Sequence, residues 1–60
     1  MEINEAMKIC ARHDWAARTN PKGLWTVGIE KKEGIEVLGM GINFIQAVKN
    51  AMEATNGKEN

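Results

Sequence analysis

Sixty residues carry 8 Lys plus Arg against 8 Asp plus Glu, a formal net charge of zero, so the chain is one small domain without the basic excess of a general nucleic-acid binder. A single cysteine, Cys10, excludes an intramolecular disulfide, and no Cys-x-x-Cys pair offers a structural zinc site. No apolar run approaches the ~20 residues that cross a bilayer, and the acidic start Met1-Glu2-Ile3-Asn4-Glu5 lacks a signal peptide's basic region, so a cytoplasmic protein is expected.

The first predicted element is a helix over about residues 3–18. At ~100° per residue Ile3, Ala6, Met7, Cys10 and Ala17 fall on one arc, and Glu2, Glu5, Lys8 and Arg12 lie opposite. Trp15 projects away from that arc, which marks it for a contact between subunits or with a partner. Asn20-Pro21-Lys22-Gly23 ends the helix: the residue before proline is pushed out of the α region, and proline has no N–H to continue the ladder.

Two alternating segments follow, read as strands over about 24–30 and 35–40. Trp25, Val27 and Ile29 would share one face with Ile35, Val37 and Gly39, with Gly39 near Trp25 leaving room for its indole. Lys31-Lys32-Glu33-Gly34 is the charged turn, with Gly34 free to take positive φ. A second helix is predicted over about 43–56, opened by Asn43 with Gln46 three residues on, and carrying Phe44, Ala47, Val48 and Ala51. Gly57 is the expected residue past its end, with residues 57–60 a frayed tail.

The expected fold is therefore α+β, a small α-β-β-α domain with an antiparallel hairpin and both helices packed on one face of it. Two helices leave the other face bare, with Leu24, Thr26, Leu38 and Met40 on it. A chain this short buries only roughly 60% of its unfolded surface. Self-association through that face, with Trp15 adding a contact, is the expected remedy, most simply as a homodimer.

Candidate chemistry is sparse. Gly39-Met40-Gly41 precedes a helix N-terminus, but the residue three beyond Gly41 is Phe44, and no Gly-Lys-Ser/Thr follows, so the reading is a tight strand-to-helix turn. Cys10 and His13 are one helical turn apart, but two ligands do not make a metal site. His13 and Asp14 are adjacent and would not face each other on a helix, and the chain has no serine, so no enzyme is expected. Arg12, His13, Trp15, Arg18, Lys22 and Trp25 gather cations and indoles, a mixture that can stack a base and neutralise a phosphate.

The pattern Trp25-x-Val27-x-Ile29, a polar turn, Val37-x-Gly39-x-Gly41, then Asn43-Phe44 and Ala47-Val48-x-x-Ala51 resembles the hairpin-helix unit of phage-encoded ABA-sandwich domains. It is more distantly similar to the partial ferredoxin-like domain of HicB-type antitoxins. The resemblance covers about residues 25–54. It implies a small accessory protein in a bacterial host's cytoplasm and assigns no site residues. The sequence thus reads as a non-enzymatic, self-associated interaction protein that binds a host protein, without cofactor, metal or membrane. The alternative is nucleotide or nucleic-acid binding through the six-residue cluster.

Overall fold

A computed structural model describes residues 1–59. The order is α1 (Ile3–His13), β1 (Ala16–Thr19), β2 (Trp25–Lys31), β3 (Gly34–Gly41) and α2 (Phe44–Glu59), with the strands forming one antiparallel sheet in the order β1-β2-β3. The chain is a small α+β domain, as expected, but its sheet has three strands rather than two.

The additional strand comes from the end of the predicted first helix. That helix stops at His13, because Asp14 takes the left-handed conformation at φ 59°. The Asp14 N–H donates to Ala11 C=O at 3.3 Å and the Trp15 N–H to Cys10 C=O at 2.8 Å, the paired bonds of a Schellman cap. Aspartate tolerates this conformation better than most residues. Ala16 and Ala17 favour a helix locally, but here their backbone groups join the ladder of β2, with Ala16 opposite Gly28 and Thr19 opposite Trp25.

Asn20-Pro21-Lys22-Gly23 therefore joins two strands. Asn20 Oδ1 accepts from the N–H groups of Lys22 (2.9 Å) and Leu24 (3.0 Å), the Asn20 N–H donates to Leu24 C=O at 2.9 Å, and Gly23 has φ 86°. Asparagine before proline, with a left-handed glycine two residues later, is the chemistry of a three-residue hairpin loop. At the second hairpin, Lys31 pairs with Gly34 across Lys32-Glu33, and Gly34 has φ 132°.

β2 and β3 are not in simple register. Val27 pairs with Gly39, but Gly28 pairs with Val37, so Leu38 is the extra residue of a β-bulge. The bulge reverses the faces of the β3 residues that precede it. Ile35 and Val37, expected on the helix side with Gly39, lie on the opposite face, and Val37 is 46% exposed. Leu38, expected on the bare face, is half-buried and packs against the core. Gly28 permits the distortion, since a Cβ there would meet the Glu36 carbonyl oxygen at 1.9 Å.

Gly39 does not make room for Trp25, which pairs with Gly41 and sets its ring 5.5 Å from that of Phe44. The space over Gly39 is taken by the backbone of α2. A Cβ on Gly39 would lie 2.3 Å from Ala51 N and 2.5 Å from Ala47 O. Glycine below and alanine above let helix and sheet approach to backbone contact. α2 starts where expected: Asn43 Oδ1 accepts from the Gln46 N–H at 2.8 Å. The helix continues to Glu59, so Gly57 lies within it rather than past its end, and the expected tail at Asn60 lies outside the described residues.

The core is small: Ala6, Ile9 and Cys10 from α1, Val27 from β2, and Ala47, Val48 and Ala51 from α2. Both helices thus share one core on one side of the sheet. The α1 face differs from the expected arc. Ile9 is buried with Ala6 and Cys10, whereas Ile3 and Met7 are 59% and 56% exposed and Ala17 is an exposed strand residue. The Ala6-Ile9-Cys10 stripe is the one that joins the shared core, where α1 packs on α2.

Candidate functional site

The sheet face turned away from the helices has no element packed over it among the described residues. Its residues follow from the pairing, since directly opposed residues of antiparallel strands project to the same side. One row across the sheet is Arg18, Thr26 and Met40. The next is Ala16, Gly28 and Val37, and the last is Glu30 and Ile35. Met40 and Val37 are each 46% exposed, and Ile35 is half-buried. They form an apolar stripe along β3.

Arg18 and Glu30 form a parallel polar stripe. The Arg18 guanidinium donates to Glu30 Oε1, reaching across the middle row. That row can be crossed because Ala16 and Gly28 carry almost no side chain. The pair is more than half exposed at both ends, so it holds geometry more than it stabilises the fold. On the helix side, near the second turn, Lys31 pairs with Glu36.

The expected interface residues divide. Thr26 and Met40 lie on the bare face, and Leu24, opposite Asn20 and two residues before Thr26, falls on the same side, half-buried. Leu38 is at the bulge against the core, and Trp15 packs on the core with its ring stacked on His13 at 4.6 Å and 19°. Sequence reasoning missed Ile35 and Val37 there because it did not see the bulge. Gly28, a glycine in the middle of β2, was the available signal, since a glycine inside a strand often marks a bulge.

The six-residue cationic and aromatic cluster does not form one patch. His13 and Trp15 stack on each other, Trp25 packs against Phe44 on the helix side, and Arg18 is paired with Glu30 on the opposite face. Arg12 and Lys22 are exposed, on α1 and on the first hairpin loop. Cys10 is buried in the core, and burial pushes its thiol pKa above the ordinary value. Among the described residues there is no group of three or more His, Cys, Asp or Glu placed to hold a metal, and no helix is long and apolar enough to cross a membrane.

The backbone groups of the sheet edges can also be assigned. The Asn20-to-Leu24 bond marks that pair as hydrogen-bonded, and alternation gives the same status to Arg18/Thr26 and Ala16/Gly28. Trp25 and Val27 then bond to β3, which turns the backbone groups of Met40 outward, and Asn50 Nδ2 donates to the Met40 carbonyl. Beyond the bulge the outward groups are those of Ile35 and Val37; on β1 they are those of Ala17 and Thr19.

Comparison of the chain with protein families, with characterised proteins and with solved structures gives no match.

Proposed function

We propose that the protein is a non-enzymatic interaction module that works as a homodimer and, in that form, engages a host protein as a phage accessory factor. The observation that carries the self-association is a sheet face with nothing packed over it among the described residues. The molecule is only 18 Å thick along its shortest axis, one helix layer on one sheet, so one sheet face has no layer over it. The core supports the same reading: among the described residues its largest fully buried side chains are two valines, Val27 and Val48. A host protein as the further partner is supported by the resemblance of residues 25–54 to phage-encoded ABA-sandwich domains.

Thermal melts over a roughly 100-fold range of protein concentration test the self-association, since coupling of folding to assembly makes the melting temperature climb with concentration. A melting temperature that stays constant over that range counts against it.

A further inference from the structure

We infer that the bare sheet face is where a second copy of this chain docks, sheet against sheet about a two-fold axis; this rests on the self-association proposed above and assigns its surface. Three observations lead there. The first is position. The face has no layer over it, and the exposed or half-buried apolar residues Ile35, Val37 and Met40 line up along one of its strands.

The second is charge. The face holds one cation, Arg18, and one anion, Glu30, with the apolar stripe Ile35-Val37-Met40 beside them. Such a face is neutral and complementary to itself. A two-fold axis lying in the face and crossing the strands at the Val37 row sets Met40 over Ile35 of the second copy and brings the Arg18 row of each chain over the Glu30 row of the other. A strongly charged partner would find no matching field on it.

The third is that the other route to a symmetric dimer, pairing of sheet edges, meets obstacles on the longest edge strand. On β3 the bulge at Leu38 interrupts the edge, and the outward Met40 carbonyl already accepts from Asn50. Antiparallel pairing of two β3 edges could use only the outward groups of Ile35 and Val37 on their side of the bulge, a short ladder. β1 offers four residues only. Ile3 and Met7 on α1, and Ile42 before α2, are further exposed apolar residues among those described, but they do not lie on the bare sheet face beside Arg18 and Glu30.

The test combines mass measurement on two variants with amide hydrogen exchange on the unaltered protein. Val37→Lys places a charge in the centre of the face, and symmetry counts it twice, so association weakens by roughly 100-fold or more. Met7→Lys, on α1, leaves the dimer intact. The outward amides of Ile35 and Ala17 exchange without protection in the dimer, because both sheet edges stay open; this readout needs no variant and stands if Val37→Lys does not fold. A dimer that survives Val37→Lys, that is lost in Met7→Lys, or that protects the Ile35 or Ala17 amide overturns the face assignment while leaving self-association in place. A monomeric wild-type protein overturns both.

Discussion

Replacing Gly39 by alanine tests the closest contact in the fold. The added methyl would stand 2.3 Å from Ala51 N, 2.5 Å from Ala47 O and 2.8 Å from Ala51 Cα, all backbone atoms of α2. No rotamer change relieves such a clash, so the helix must lift from the sheet by about an ångström. Overpacking a tight core typically costs about 1–3 kcal/mol, and a clash against fixed backbone belongs at the upper end. The gain from removing a strand glycine, about 0.5–1 kcal/mol, offsets only part of that. A net loss of about 2 kcal/mol is large for a 60-residue chain, whose whole stability is on the order of 3–9 kcal/mol. Denaturant melts at fixed protein concentration measure it, and the melting temperature should fall by roughly 10 °C or more. Gly23→Ala is the control: it meets nothing within 4 Å and carries only the strain of φ 86°, about 1 kcal/mol. If Gly39→Ala loses less than Gly23→Ala, α2 does not rest on the sheet as described.

Two further outcomes follow from single side chains. Asn43→Ala should cost about 1 kcal/mol and Asn43→Asp almost nothing, because the side-chain oxygen only has to accept from the Gln46 N–H; equal losses in the two variants would show that the cap is not its role. The raised pKa of Cys10 means that the folded state disfavours the thiolate, so its contribution to stability is full below the ordinary thiol pKa and is lost as pH rises through the folded-state value. Alkylation of Cys10 under native conditions should therefore be slow and should accelerate with unfolding; rapid labelling of the folded protein at neutral pH would contradict its burial.

Much of this fold could be read directly from the residues. The Asn43 cap, the charged two-residue turn before Gly34 and the stripe of Ala47, Val48 and Ala51 are local features, and local features follow from local chemistry. β1 was hidden because Arg18-Thr19-Asn20-Pro21-Lys22-Gly23 reads equally as a helix stop and as a hairpin loop, and Ala16-Ala17 tips the reading toward helix. The ladder with β2 decides otherwise, and that is a contact across the chain. The bulge at Leu38 was hidden for a similar reason. Strict alternation from Ile35 to Gly39 looks like an unbroken strand, and only Gly28, on the opposing strand, marks where the register slips. That slip moved Ile35 and Val37 from the expected core to the bare face and took Leu38 off it. Trp15 also misled, since its place on α1's helical wheel lost meaning once the helix ended at His13 and let the indole turn back onto the core.

Light scattering on a sizing column, at a concentration where the protein is fully folded, reads directly whether one folded unit contains two chains. The expected mass is twice the 6.7 kDa of the chain. A folded protein eluting with the mass of a single chain would contradict the self-association.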